Sequence, residues 1–232
     1  MKIDLHVHTS EISPCGKVPA REMARMYKER GYDLVVVTDH LFPSLNTLPQ
    51  DGTPAEKAEK WLEGYRTFKD EGDKIGLKVL LGGEARLCDY GSEDFLVYGF
   101  AEEDVEWFMG MLDSVHSIAE MSEAIRGRGF FLAQAHPFRP GLRAQDPALL
   151  DGVEAFNGNP RHNSSNHFAR EMAVVGGLVM LSGSDAHQPV DVARGGMNVP
   201  VQIENNADLL AFLRSGAPRD CAAFDAMAIM AE

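Results

Sequence analysis

The sequence predicts an α/β fold in which a parallel sheet of seven strands closes, or nearly closes, into a barrel surrounded by helices. Three observations support this prediction. Short apolar runs alternate with helical patterns along the chain, and the runs are apolar throughout, as in strands buried on both faces. No repeat or linker interrupts them. The 232 residues are therefore expected to fold as a single domain, residues 1–232.

The first half of the chain contains four of the seven predicted strands. They are expected at Lys2–Val7, Asp33–Val37, Lys78–Leu81 and Asp94–Tyr98. A first helix is predicted over 19–30, because Met23, Met26 and Tyr27 recur at helical spacing and Gly31 follows as a stop signal. A longer helix is predicted over 54–75, after a loop rich in Pro and Gly.

The second half continues the same alternation with three strands and three helices. The strands are expected at Phe130–Gln134, Gly152–Phe156 and Leu178–Leu181. The helices are expected from the acidic stretch 102–106 to Leu112, over 118–126 and over 163–175, where Gly176 and Gly177 end the pattern. A further strand over 198–203, a helix over 207–214 and an apolar tail complete the prediction.

The formal net charge is −13, which disfavours a nucleic-acid or anionic-membrane surface because such partners would repel the protein. A small phosphorylated substrate stays compatible, since bound metals and a few arginines can reverse the field in a pocket. The cysteines Cys15, Cys88 and Cys221 are too few for a disulfide framework. Without a signal peptide or an apolar run of membrane-spanning length, the sequence indicates a cytoplasmic protein. It gives no prediction of the oligomeric state.

Metal-ligating residue types follow most of the predicted strands, where the apolar run stops. The first strand runs into His6-Val7-His8, and strand alternation puts both imidazoles on one face. The later strands run into segments that contain Asp39-His40, Glu84, His136, Glu154-Ala155-Phe156-Asn157 and Asp185-Ala186-His187. Because the site of a parallel α/β fold lies at the carboxyl ends of its strands, these side chains are expected to meet.

Each of these motifs also has a structural explanation. A lone His-X-His is most often a surface accident, and Asp39 or Asp185 alone could cap a helix. His136 could be a hydrogen-bonded core histidine, and Glu84 a surface charge. Their joint occurrence at successive strand ends favours a metal site. Imidazole and carboxylate ligands fit Zn²⁺, Mn²⁺ or Fe²⁺, and seven or eight ligands are too many for one catalytic ion. Two or three divalent cations are therefore expected.

These residues, in this order, resemble the PHP (polymerase and histidinol phosphatase) superfamily of metal-dependent phosphoesterases over essentially the whole chain. The four motifs that carry the resemblance are His6-Val7-His8-Thr9, Thr38-Asp39-His40, Ala135-His136-Pro137-Phe138 and Ser184-Asp185-Ala186-His187. The resemblance implies a distorted (β/α)7 barrel, similar to a TIM barrel, and the hydrolysis of phosphate esters. It also implies that His6, His8, Glu84 and Asp185 hold one metal.

The resemblance further implies that Glu84 bridges to a second metal with His136, and that His40 and His187 lie around a further position. Two departures from the family pattern bear on this binuclear or trinuclear centre. Cys15 stands where members often have Asp or His, with Glu11 as an alternative ligand. Some members place a His after the fourth strand, where this chain has Ala101. That loss makes two metals the preferred number.

The predicted reaction is attack of a metal-bound hydroxide, held by Glu84 and Asp185, on a phosphate monoester or diester, without a covalent enzyme intermediate. Asp39 is expected to orient the imidazoles. His162 is a candidate leaving-group acid or additional ligand. Substrate binding is assigned to four polar residues on loops, with Arg139 as the strongest candidate for a bidentate phosphate contact. These residues are Arg139, Asn157, Arg161 and Arg194.

Two other functions compete with this prediction. The cluster could hydrolyse a C–N bond, as in the related amidohydrolases, although the strand ends offer none of the lysines that often bridge metals there. The domain could also be a non-catalytic metal-binding module, as PHP domains fused to DNA polymerases can be. A dinucleotide-binding fold is excluded because the first strand leads into His-Val-His and not into a glycine-rich turn.

Overall fold

A computed structural model of the protein describes residues 1–87, 91–217 and 221, so Cys88 and the predicted apolar tail lie outside the described residues. One sheet organises the fold, with strand order β8-β7-β6-β5-β4-β2-β1-β9 and β3 paired with β4. All seven predicted strands are present. The strands are β1 Lys2–Val7, β2 Leu34–Val37, β3 His40–Leu41, β4 Lys78–Arg86, β5 Asp94–Tyr98, β6 Phe131–Gln134, β7 Gly152–Asn157, β8 Val179–Gly183 and β9 Met197–Asn198.

The sheet nearly closes on itself where the segment after β8 meets β1. Val7 and Ala186 form a parallel bridge, and the His8 amide donates to the Ala186 carbonyl at 3.1 Å. Gly183 permits this approach, because a β-carbon at that position would overlap the His6 side chain. The result is a distorted barrel, and the predicted fold class is confirmed.

The prediction of a wholly parallel sheet is wrong at β5, which runs antiparallel to both β4 and β6. The connection from Arg86 to Asp94 is too short for a crossover, which takes a dozen or more residues, so the chain can only turn back. β5 therefore begins at the end of the barrel where the parallel strands finish. The segment after β5, including Ala101, lies at the opposite end.

Helices pack outside the sheet in the predicted places. They are α1 Ala20–Glu29, α2 Pro54–Ile75, α3 Val105–Ser114, α4 Ile118–Gly127, α5 Asn166–Gly176 and α6 Asn206–Arg214. The bounds of α2 match the prediction because its end signals are strong: Thr53 and Glu56 form a capping box, and Gly76 adopts a left-handed φ of 71°. The strand predicted over 198–203 is shorter than expected, since only Met197 and Asn198 pair, antiparallel to β1.

Two apolar clusters cover the two faces of the strands, which explains why the strand sequences are apolar throughout. In β2, Val35 and Val37 belong to the cluster that the sheet shares with α1–α4. Leu34 and Val36 face the second cluster, which α6 completes with Leu209, Phe212 and Leu213. Among the described residues, no helix combines the length and the apolar character needed to cross a lipid bilayer.

Candidate metal centre

The four residues predicted to hold the first metal converge at the carboxyl end of β1. The Nε2 atoms of His6 and His8 lie 3.0 Å apart, and both side chains are fully buried. His6 Nε2 is 3.1 Å from Glu84 Oε1 and 3.6 Å from Asp185 Oδ1. His8 Nε2 is 3.5 Å from a carboxylate oxygen of each of the same two residues. The ligand atoms of His6, His8 and Asp185 lie close enough to share one ion, whereas Glu84 groups with His6 and His136.

Glu84 lies between this group and a second one. Its Oε1 is 3.2 Å from His136 Nε2, and its Oε2 is 2.7 Å from His40 Nδ1. Strand β4 continues past the predicted end at Leu81 to Arg86, so Glu84 projects from a strand and not from a loop. Each carboxylate oxygen thus faces a different set of imidazoles, which is the arrangement that a bridging ligand requires.

A third group lies on the other side of His8. The His8 and His187 rings stack with centroids 4.0 Å apart, and the ligand atoms of His8, His40 and His187 lie within 4.8 Å of one another. Cys15 joins this group, with its Sγ 3.2 Å from His40 Nε2. Glu11 instead accepts the backbone N–H of Ala20 at the start of α1. Of the two alternatives, only Cys15 faces the cluster.

Asp94 also faces the centre, although the sequence analysis did not select it. Asp94, His40 and Glu84 form a further group whose ligand atoms lie within 4.8 Å of one another, and Asp94 Oδ2 is 4.0 Å from His136 Nε2. The antiparallel direction of β5 puts its first residue at this end of the barrel. Asp94, and not Ala101, is therefore the residue near β5 that faces the centre, and its carboxylate also accepts two hydrogen bonds from Arg86. The lack of a predicted helix between the third and fourth strands was the signal that could have found it.

Hydrogen bonds at Nδ1 leave the Nε2 atoms of three imidazoles free to bind metal. His6 Nδ1 donates to Glu154 Oε1 at 2.9 Å, and His187 Nδ1 donates to the carbonyl of Asp185 at 2.9 Å. His8 Nδ1 donates to Ser13 Oγ at 3.0 Å. The Ser13 hydroxyl in turn donates to Asp39 Oδ1 at 2.7 Å, so Asp39 acts on His8 through Ser13.

Glu154 is a second residue that the sequence analysis gave no role. It is buried in β7, and its Oε2 accepts the backbone N–H of His136 at 3.0 Å. Asn157 Nδ2 donates to the same oxygen at 2.9 Å and to Asp185 Oδ2 at 3.2 Å. A Glu inside a buried apolar strand was the available signal, because a buried carboxylate needs partners. Glu154 connects two candidate ligands, His6 and His136.

The buried charges shift one another's pKa values. Burial alone would lower the pKa of His6, but Glu154, Asp185 and Glu84 outweigh it and hold that pKa well above its usual value. Burial would raise the pKa of Glu84, yet His6 and His40 hold it well below the ordinary range. Partial burial raises the pKa of Cys15, whereas hydrogen bonds with His187 and His40 bring it down to about 6. Anionic and cationic groups thus stabilise each other here.

Two candidate ligands have backbone conformations that side chains other than glycine rarely adopt. The φ angle of His136 is 29°, and that of Asp185 is 50°. Such residues cost on the order of 1–3 kcal/mol each and concentrate at functional sites. Both conformations are held by hydrogen bonds, from the His136 amide to Glu154 and from Asn159 Nδ2 to the Asp185 carbonyl.

The donor set fits divalent cations. Glu84 Oε2 and His40 Nδ1 are buried and have no hydrogen-bond partner, because their close approach lacks hydrogen-bond geometry. A buried polar atom without a partner costs about 1–3 kcal/mol. A cation bound between the two atoms would satisfy both. Four overlapping groups of His, Asp and Glu can hold an ion, so the centre has ligands for more than one.

The predicted substrate-binding residues differ in how many partners they already have. Arg139 Nη2 donates to Asp185 Oδ2 at 2.6 Å and to Asn157 Oδ1 at 3.2 Å, while Arg139 Nε is buried without a partner. Arg161 makes a bidentate ion pair with buried Asp191. Arg194 Nε donates to the Val190 carbonyl.

His162 is largely exposed. The part of its ring that is buried, together with the Arg139 guanidinium, lowers its pKa. The two arginines differ. Arg139 has an unpartnered Nε beside the centre, whereas Arg161 is held by its ion pair with Asp191. Asn157 is buried, and its amide holds Asp185 and Glu154 in place.

Comparison with protein families matches residues 4–143 to the PHP domain and residues 163–218 to the PHP-associated domain. The chain belongs to the PHP family. None of the curated proteins compared with this PHP protein is significantly similar to it in sequence.

Solved structures share the fold of the PHP protein at low sequence identity. One, from Bifidobacterium adolescentis, is assigned as a metal-dependent phosphoesterase (17% identity, TM-score 0.57, covering 91% of this chain and 95% of that one). A second is an amidohydrolase from Chromobacterium violaceum with bound sulfate (16%, 0.58, 92% and 97%). A third is a lesion-specific endonuclease from Pyrococcus furiosus (16%, 0.59, 95% and 57%).

Proposed function

We propose that this PHP protein is a metal-dependent phosphoesterase that hydrolyses a small phosphorylated metabolite, a monoester or a diester. The observation that carries the proposal is the convergence of His6, His8, Glu84, His136 and Asp185 within a few ångströms, beside an arginine with an unpartnered donor. We assign eight predicted ligands and the newly found Asp94 to the centre. They are His6, His8, Cys15, His40, Glu84, Asp94, His136, Asp185 and His187.

The cofactors that fit this ligand set are Zn²⁺, Mn²⁺ or Fe²⁺, in two or three copies. Bound cations of this kind supply a water of lowered pKa and neutralise charge on a phosphoryl group. One carboxylate oxygen of Glu84 faces His6 and His136 and the other faces His8 and His40, so Glu84 would bridge two of the cations. With Asp94 available, the argument from Ala101 for only two ions no longer holds.

Residues of the chain also contact the substrate in this proposal. The Arg139 Nε donor, which lacks a partner, would bind a phosphoryl oxygen. Hydrolysis breaks the bond from phosphorus to the leaving oxygen, and that oxygen must receive a proton. His162, near Arg139, is the candidate donor, and its lowered pKa means that its protonated form gives up the proton more readily than a free imidazolium does.

We infer that the chain acts as a single domain. Glu84 and His136 belong to the segment that matches the PHP domain, while Asp185 and His187 belong to the PHP-associated segment. The His6–Asp185 and His8–His187 contacts join the two segments inside one centre. Neither segment alone contains a complete ligand set.

The names of the neighbours support hydrolysis but differ in the bond attacked. The amidohydrolase favours the alternative of C–N cleavage, and the endonuclease makes a nucleic-acid phosphodiester a second candidate substrate. The paired Asp185 and Arg139 favour a phosphoryl group, because arginine matches the geometry of phosphate oxygens. The net charge of −13 favours a small substrate over a polymeric one.

The test is a substrate screen with the purified protein after loading with Mn²⁺, Zn²⁺ or Fe²⁺. It compares small phosphomonoesters, phosphodiesters, amides and a single-stranded oligonucleotide. We expect turnover of phosphate esters, and we expect Asp185→Ala and His8→Ala to lose bound metal and turnover together. His116→Ala, in an exposed turn between α3 and α4, is the matched control and should keep both. Full activity of the metal-free Asp185 variant would reject the proposal.

A further inference from the structure

Two phenylalanines form an aromatic surface beside the candidate metal centre. The rings of Phe138 and Phe168 lie with centroids 5.7 Å apart at an angle of 48°, and the His167 ring lies 4.0 Å from Phe168. Phe168 is 49% exposed, and Phe138 is partly exposed. Both side chains are therefore partly open to solvent.

Position in the chain and backbone hydrogen bonds place each phenylalanine near the centre. Phe138 lies between the candidate ligand His136 and Arg139, whose Nη2 is 2.6 Å from Asp185 Oδ2. On the other side, Asn166 exchanges two hydrogen bonds with the backbone of Asn157, of 3.0 and 3.1 Å. This exchange fixes the first turn of α5, and with it Phe168, beside the residue whose amide contacts Asp185.

The position of Phe168 distinguishes it from other exposed apolar residues on the same helix. Val174 and Val175 are more exposed, at 71% and 82%, but they lie in the last turn of α5, away from Asn157. Single exposed aliphatic residues of this kind are common on protein surfaces. A pair of aromatic rings next to a group that can bind phosphate is a different feature, because aromatic faces bind planar rings selectively.

We propose that the substrate carries a planar aromatic group, which packs on Phe138 and Phe168 while its phosphoryl group contacts Arg139 and the metal centre. The inference rests on the proposed function and names the substrate class of the same site: an aryl or nucleobase-containing phosphate ester. The aromatic surface sets specificity and takes no part in bond cleavage. Sugar phosphates and alkyl phosphates lack the planar group and bind more weakly.

The first test measures binding without turnover. The probes are phenylphosphonate, cyclohexylphosphonate and methylphosphonate. Each has a P–C bond in place of the ester bond, so the enzyme cannot hydrolyse it. Calorimetry measures the affinity of each probe for the metal-loaded protein. We expect phenylphosphonate to bind about tenfold more tightly than methylphosphonate, with the non-planar cyclohexyl compound between them. Phe168→Leu and Phe138→Leu should each remove most of the preference for the planar ring.

Val175→Ser is the matched control, on the same helix but outside the aromatic surface, and should keep the preference. Metal content and circular dichroism of both Leu variants check that they fold, and methylphosphonate affinity should not change in either. Equal affinity for the three phosphonates in the wild-type protein would overturn this inference and leave the phosphoesterase proposal standing. Binding of none of the phosphonates would overturn both proposals.

A second experiment distinguishes a nucleobase from a simple aryl group as the planar part of the substrate. It compares kcat/KM for a nucleoside monophosphate with that for ribose 5-phosphate, and for phenyl phosphate with that for methyl phosphate. A preference in both pairs identifies a nucleobase, and a preference in the phenyl pair alone identifies a simple aryl ester. An absence of preference in both pairs contradicts the inference.

Discussion

The two ends of the barrel differ in how exposed their charged residues are. At the end where the parallel strands begin, an open cleft of about 1070 Å³ is lined by Lys78, Glu204 and Ala101 among others. The Lys78–Glu204 ion pair there is exposed to solvent. At the other end, Glu84 and Asp185 are each only 1% exposed.

The candidate centre is therefore marked by buried charge, and the open cleft at the other end by exposed charge. An exposed ion pair contributes about 0–1 kcal/mol, so its residues can change at little cost. Buried carboxylates and imidazoles carry a desolvation penalty of several kcal/mol per ion, which their mutual contacts must offset. Such a cluster contributes little to the stability of the fold by itself. Bound cations would offset the cost of burying its charges.

The largest effect is expected from a comparison of two glutamates, Glu84 in the buried cluster and Glu204 in the open cleft. Glu84→Gln removes the charge that faces four imidazoles, so bound metal should fall and kcat/KM should drop on the order of 10³-fold, since cations supply several kcal/mol of transition-state stabilisation. Glu204→Gln, in the open cleft, should leave both unchanged. Metal analysis and steady-state kinetics measure the pair. Equal losses in the two variants would remove the distinction between the ends.

The next comparison uses the two ends of β5. Asp94→Asn should lower the number of cations bound per chain, because it removes the carboxylate charge that faces Glu84, His40 and His136. Ala101→Ser, beyond the other end of the strand, should bind the same number as the wild type. Titration with Mn²⁺ followed by paramagnetic resonance counts the ions. An unchanged stoichiometry in the Asp94 variant would exclude it as a ligand.

A smaller effect is expected from a residue that contacts a ligand and not the metal itself. Glu154→Gln replaces the charged acceptor of the His6 Nδ1 proton, and loss of such outer partners typically lowers metal affinity about 10–100-fold. Glu171→Gln, exposed on α5, is the control. Competition with a fluorescent chelator measures both affinities. Wild-type affinity in the Glu154 variant would show that His6 is oriented without it.

The pKa shifts predict a pH dependence of metal binding. In the metal-free protein the pKa of His6 is held well above its usual value, so His6 keeps a proton to higher pH than a free imidazole and a cation must displace that proton. Affinity should therefore rise with pH, by up to about tenfold per pH unit for each proton released. Calorimetry in buffers of different ionisation enthalpy counts the protons. Binding without proton release at pH 7 would contradict the predicted state of His6.

The parts of the fold with strong local signals were predictable from the sequence. The bounds of α2 were correct because a capping box and a left-handed glycine mark its two ends. The bounds of β1 were correct, and the apolar residues Ile3, Leu5 and Val7 alternate along it as expected in a strand. At the centre, the motif residues around His6, Glu84, His136 and Asp185 were found because each follows or ends an apolar run.

Other parts depend on long-range contacts that no local pattern shows. The direction of β5 decides that Asp94, and not Ala101, faces the centre, and direction follows from which strands pair. The role of Glu154 depends on its contact with His6, 148 residues earlier in the chain. Arg161 was predicted to bind the substrate, because nothing local in the sequence shows its ion pair with Asp191, 30 residues later.

The most direct test of the central claim is a crystal structure of the Mn²⁺-loaded protein with anomalous diffraction data. The account predicts at least two strong anomalous peaks a few ångströms apart, with Glu84 between them and His6, His8, His136 and Asp185 around them. Peaks only at surface carboxylates such as Glu204, with the buried cluster unbound, would contradict it.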